Sequence, residues 1–133
     1  MEAVFNITRN SVVATKLRIA HNFLERLRGL IGASQLARGE GFLIPHCQGV
    51  HMLGMKYAID VIYLDKNGKV VAVSEHLQPN SIGPVYFQSR SVIELPTGAV
   101  AVSGTKVGDE IYLDEKETVG LPEAFHDSVQ SDA

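Results

Sequence analysis

The stretch from residue 57 to residue 77 limits the fold more than any other part of this chain. Two runs rich in Val, Ile and Tyr, 57–65 and 69–77, flank Asp65-Lys66-Asn67-Gly68, and Asn-Gly supplies the positive-φ positions that a tight hairpin needs. A chain that doubles back here as paired strands has its two side-chain faces fixed by a period of two. On that register Asp60 interrupts Ala58, Ile62 and Leu64 on one face. If that face is covered, an ionised carboxylate there requires a cation or several N–H donors, and Arg28 or Arg90 is a candidate partner.

The remaining segments add strands and little helix. Residues 3–8 and 12–19, separated by Asn10-Ser11, read as an opening hairpin. Asn22 followed by Glu25 resembles a capping box. Phe23, Leu24, Leu27, Leu30 and Ile31 then recur at helical spacing, so an amphipathic helix is expected over 22–31 with Gly32 as its stop. Ser34 is a candidate cap for a further short turn ending at Gly39, before a brief strand over 41–45. Pro79, Asn80, Gly83 and Pro84 mark 78–87 as a loop in which Tyr86 and Phe87 are either anchors, the favoured reading, or ligand-facing aromatics. A strand over 89–95, a helical segment over 98–104 and a last strand over 110–113 complete the pattern. The expected fold is mainly β (β-rich α+β): a compact sandwich-like or barrel-like sheet with one amphipathic helix and one or two short helical turns. Residues 1–114 read as a single domain, and 115–133 as a polar, acidic, flexible tail.

With 133 residues and 45% hydrophobic content, one core can form without disulfide or metal staples. Cys47 is the only cysteine, which excludes an intrachain disulfide and fits a reducing compartment. The first ten residues carry no secretion signal, and no apolar run approaches the roughly 20 residues that span a bilayer. A soluble, cytoplasmic protein with no membrane partner is therefore expected. Residues 1–40 hold six basic and three acidic groups, whereas 41–133 hold six and twelve. With net charge −3 and no basic residues interleaved with exposed aromatics, a nucleic-acid partner is not expected.

Several short motifs stand in a recognisable order. They are Arg28-Gly29-Leu30-Ile31-Gly32, Gly41-Phe42-Leu43-Ile44, His51-Met52-Leu53-Gly54-Met55, the run from Ile59 to Val70, the run from Ser91 to Gly98, and Lys106-Val107-Gly108-Asp109. Together, over roughly residues 17–114, they resemble domain-of-unknown-function family 192. The resemblance implies a compact, mainly β domain, sandwich-like or barrel-like, with short helices, and it implies no established biochemical activity. His51-Met52 departs from the His-Thr or Trp-Met found in many members. Some members carry leader peptides, and no such segment is read here.

The densest chemistry lies at His46-Cys47 through Met55, where Cys47, His51 and Met55 are spaced by four. Thiolate, imidazole and thioether at this spacing resemble the ligand loop of blue-copper proteins, with His21 as the only candidate for the second imidazole. The plainer reading is that Cys47 and Met55 pack inward while His51 finds a hydrogen-bond partner. A Cys-His enzyme would need His46, His51 or His76 beside Cys47, with Asp60 or Glu94 as orienting carboxylate. Arg90 and Glu94, four apart on a predicted strand, are candidates for the same polar region or for a surface ion pair. Phosphate-cradling Gly loops, Cys-x2-Cys, His-Glu-x2-His and Gly-x-Ser-x-Gly are absent. The reading favoured on these grounds is a non-enzymatic binding or accessory module without a cofactor. Its site is expected near His51, Met55 and Asp60, with Arg28, Arg90 and Glu94 as further candidates, and its occupant is a small polar ligand or a protein partner of unknown identity.

Overall fold

The computed structural model describes residues 2–114; the segment expected to form an acidic tail, 115–133, lies outside them. Nine strands and two short helices follow in chain order. They are β1 (Glu2–Asn6), β2 (Ser11–Ile19), α1 (Phe23–Arg28), β3 (Glu40–Pro45), β4 (Gly49–His51), β5 (Ile59–Leu64), β6 (Val70–Leu77), β7 (Ile82–Val85), β8 (Ser91–Pro96), α2 (Ala99–Ser103) and β9 (Ile111–Asp114).

Seven strands form one mixed sheet in the order β6-β5-β8-β3-β2-β1-β9, and β4 and β7 form a separate pair. All neighbours in the large sheet are antiparallel except β2 and β3. A parallel pair requires a long crossover, and the connection containing α1 supplies it. The sheet curls until its two ends approach at one corner. There Lys69 bridges Glu110, and Val70 N–H donates to the Asp109 carbonyl at 2.9 Å. It remains open elsewhere, so the architecture is a strongly curled β-rich sheet rather than a closed barrel.

Both faces of the central strands are covered, as the alternation along β5 makes plain. Ile62 and Leu64 join Leu43, Ile93, Leu95 and Val100 in one core inside the curl, under α2. Ile59, Val61 and Tyr63 join Phe42, Ile44, Met52 and Met55 in a second core on the opposite face. Every residue of β5 is buried, the condition in which a strand reads as a continuous apolar run.

The β5–β6 hairpin forms as the sequence predicts, with one difference in its turn. Gly68 has positive φ (+78°), whereas Asn67 does not. The Asp65 carboxylate instead accepts from Asn67 N–H at 2.8 Å and Lys69 N–H at 3.0 Å. The side chain of Asp65 thus organises a longer turn than a two-residue Asn-Gly loop, and the register shifts between Tyr63 and Leu64.

Three other expectations are corrected. The helix expected over 22–31 is confined to Phe23–Arg28, because Gly29 rather than Gly32 ends it, with its N–H returning to the Glu25 carbonyl. Leu24 is 73% exposed, so the apolar face is narrower than the spacing suggests. Residues 34–39 contain no helical turn, and the expected loop 78–87 holds strand β7. Gly49 and Gly83 explain that strand: a Cβ on Gly49 would meet the Pro84 carbonyl oxygen at 2.8 Å, and one on Gly83 the Val50 carbonyl oxygen at 2.9 Å. Backbones this close tolerate only glycine. Of the two aromatics, Tyr86 anchors against Tyr63 with ring centroids 4.7 Å apart, while Phe87 is 82% exposed.

No helix among the described residues is long and apolar enough to cross a membrane.

Candidate functional site

Glu94 lies in the middle of β8, and its neighbours dictate its chemistry. Across the sheet it pairs with Phe42 of β3 on one side and Val61 of β5 on the other. Both are buried in the second core, so the carboxyl group points into an apolar layer. Glu94 is 3% exposed, and its Oε1 has no hydrogen-bond partner. Removal from water disfavours the charged form, and burial pushes its carboxyl up to about 7 from the ordinary 4.5.

This acid lines a small pocket of about 50 Å³. Such a space admits only a few waters or the end of a small molecule. Arg26, Arg28 and Gly29 of the α1 end form one side; Cys47, Gly49, Val50 and His51 around β4 form another; Ile31, Ile44 and Met55 add apolar wall.

Gly29 determines access to the floor. Its φ is +57°, and a Cβ there would lie 3.2 Å from Glu94 Oε1 and 3.7 Å from Ile44 Cδ1. The absent side chain is what leaves the carboxyl facing open space.

Of the residues singled out from the sequence, Arg28, His51, Met55 and Glu94 line this pocket together, and Cys47 joins them. His51 and Arg28 are exposed, whereas Met55 is buried. Asp60, Arg90 and His21 do not line it. The cause is topological: Asp60 faces the α2 side of the sheet, Arg90 is exposed just ahead of β8, and His21 is exposed just ahead of α1.

Asp60 is fully buried and takes no arginine partner. Its Oδ1 accepts from His76 N–H at 2.9 Å, and its Oδ2 accepts from Gly98 N–H at 3.1 Å and Val100 N–H at 3.0 Å. The several-donor solution anticipated for a buried carboxylate is the one realised. It also supplies α2 with the acceptor that its N-cap, Gly98, has no side chain to provide. The surface ion pair of Arg90 with Glu94, one of the two alternatives for these residues, is not formed, whereas Arg9 Nε and Asp109 Oδ2 do pair at 3.0 Å.

Neither alternative chemistry gains support from this arrangement. The copper reading needs a second imidazole, and His21 stays outside the pocket; no group of three His, Cys, Asp or Glu suited to a metal ion occurs among the described residues. For thiol catalysis, Cys47 Sγ donates to the Gly49 carbonyl at 2.9 Å rather than to a histidine. Burial chiefly pushes the Cys47 thiol up, with the Gly49 hydrogen bond opposing it and nearby Glu94 adding to it. Thiols in such surroundings are poor nucleophiles. Alkylation of native Cys47 by iodoacetamide at neutral pH is therefore expected to run at least about ten-fold slower than in the urea-unfolded chain; equal rates would show an activated thiolate.

Sequence reasoning placed Glu94 on a strand but missed its isolation, and it did not single out Gly29 as part of the site. The available signal was an acid at the centre of the apolar run Val92-Ile93-Glu94-Leu95.

A curled mixed sheet with a buried, unpaired carboxyl at the floor of a small pocket defines a compact, mainly β domain. The chain belongs to domain-of-unknown-function family 192, described as "Uncharacterized ACR", whose model matches residues 4–113. It is 28% identical over 124 residues to a UPF0127 protein of Thermococcus sibiricus, covering 90% of this chain and 80% of that protein. A UPF0127 protein of Thermococcus gammatolerans is 30% identical over 125 residues, covering 90% and 81%. The crystal structure of a protein of unknown function from Novosphingobium aromaticivorans superimposes with a TM-score of 0.70 at 20% identity, covering 83% of this chain and 81% of that one. That likeness concerns the fold alone.

Proposed function

We propose that this protein is a non-enzymatic binding module whose site is the pocket under the α1 end, and that Glu94 recognises a hydrogen-bond-donating group of a small polar ligand. One observation carries the reading: Glu94 Oε1 is buried, lines the pocket and has no partner. A buried polar atom left without a partner costs about 1–3 kcal/mol, and a ligand donor placed against it recovers that cost. Asp60 illustrates the contrast, since its equally buried carboxylate is satisfied by three backbone donors. The binding set proposed from the sequence thereby narrows to Arg28, His51, Met55 and Glu94, with Gly29 keeping the way open.

The test is a thermal-shift screen of small amines, amides and polyols against the parent protein, Glu94→Gln and Gly29→Ala. Stabilisers of the parent are expected to lose their effect in both variants while each variant still unfolds cooperatively. Stabilisers that act equally on all three proteins, or none at all across these compound classes, would sink the reading.

A further inference from the structure

The pocket is graded in charge from floor to rim, and this grading specifies its occupant further. At the floor lies the Glu94 carboxyl, 3% exposed. At the rim stand the exposed Arg28 and the half-buried Arg26, both carried by α1. Between them Ile44 and Met55 give one side of the wall an apolar surface, with Cys47 and His51 on the other.

Arg28 is held in position rather than waving in solvent. Its Nε donates to the Ile31 carbonyl at 2.8 Å, and its Nη2 would lie 3.2 Å from a Cβ placed on Gly32. That tether uses the Nε edge of the guanidinium and leaves the Nη1/Nη2 edge to meet an anion as a planar fork. Less conformational freedom is then lost when a carboxylate arrives.

We propose that the pocket binds a small zwitterion, with its ammonium group against Glu94 and its carboxylate against Arg28 at the rim. The inference rests on the binding reading above and names the ligand class for the same site. An ammonium supplies the donor that Glu94 Oε1 lacks and compensates its charge within a low-dielectric layer. A simple cation satisfies the floor and leaves Arg28 unused. A simple anion meets Arg28 but has nothing to offer the acid. The about 50 Å³ of space and the apolar side of the wall limit the skeleton between the two charges to a short aliphatic one. Amino acids of the glycine, β-alanine and γ-aminobutyrate type have this form.

The experiment is a titration of the full 15N-labelled chain by two-dimensional NMR with glycine, β-alanine and γ-aminobutyrate. Propylamine and propionate serve as single-charge probes, and glycerol and acetamide as neutral ones. At least one zwitterion is expected to give saturable shifts around residues 28–31, 47–51 and 94, with a Kd at least about ten-fold below both single-charge probes. Arg28→Gln is expected to erase the preference for the zwitterion over propylamine, and Glu94→Gln to weaken both by about ten-fold or more. Zwitterions that bind no better than propylamine or propionate overturn the inference. If acetamide or glycerol binds in a Glu94-dependent way while zwitterions do not, the zwitterion is excluded and the simpler binding reading survives. If none of the seven probes shifts the pocket resonances, the inference fails together with its basis.

Discussion

At pH 8 the Glu94→Gln variant is expected to be more stable than the parent protein by about 3 kcal/mol, while at pH 4 the two should agree within about 1 kcal/mol. The sign follows from the direction of the shift. In the folded protein the Glu94 carboxyl titrates at about 7, against 4.5 when unperturbed. Below pH 4.5 the proton is bound in both states, and Glu94 adds no pH dependence. As pH rises from there, the unfolded chain ionises while the folded one retains the proton, so stability falls. The loss levels off once pH passes about 7 and both states are charged. Glutamine cannot ionise, so the variant lacks this slope. Urea unfolding at pH 4, 6 and 8 reads the effect directly. Parallel pH profiles for the two proteins would mean that the carboxyl finds a partner or water in solution, and the basis of the proposed site would disappear. A gain in stability coupled to a loss of ligand binding is the pattern expected when a site is maintained at the expense of the fold.

The opposite outcome is expected for the other buried carboxylate. Asp60→Ala should destabilise the protein by about 3–5 kcal/mol, because the His76, Gly98 and Val100 N–H groups lose their acceptor together. Two of these donors belong to the start of α2, so protection of its amides from hydrogen exchange should fall by at least about ten-fold. A change below about 1 kcal/mol would refute the structural role. Should the variant also keep its fold but lose a ligand, Asp60 would return as the ligand contact that the sequence suggested.

These two acids also mark how far the sequence can be read. Asp60 was legible as a problem, since an acid amid Ala58, Ile62 and Leu64 must be compensated. Its solution was not legible, because Gly98 and Val100 lie 38 and 40 residues away and reach it only after β8 has paired with β5. Glu94 was visible as a strand residue with Arg90 four positions before it. Its solitude depends on Phe42 and Val61 flanking it and on the α1 connection covering that face, and neither can be read from local spacing. The β5–β6 and β1–β2 hairpins were legible because their signals are local. The β4–β7 pair was obscured by Pro84 and Gly83, which mark a turn in most settings. Here Gly83, together with Gly49 on β4, permits two backbones to approach closely. Cys47, His51 and Met55 do meet at one pocket, as their spacing hinted, yet the copper ligand set remains incomplete because Asn22 caps α1 through Glu25 N–H at 2.9 Å, and His21 lies exposed just outside that cap.

The place of β9 in the sheet carries a consequence for how the chain is made. It pairs with β1, bringing Ala3 opposite Asp114, so β1 leaves the ribosome well ahead of a neighbour that is synthesised more than a hundred residues later. Until then β1 can pair only with β2, and its other edge exposes free backbone groups to any passing strand. Long-range closure of this kind slows folding, which makes the interval of synthesis the time when nascent chains are most exposed to mispairing with one another.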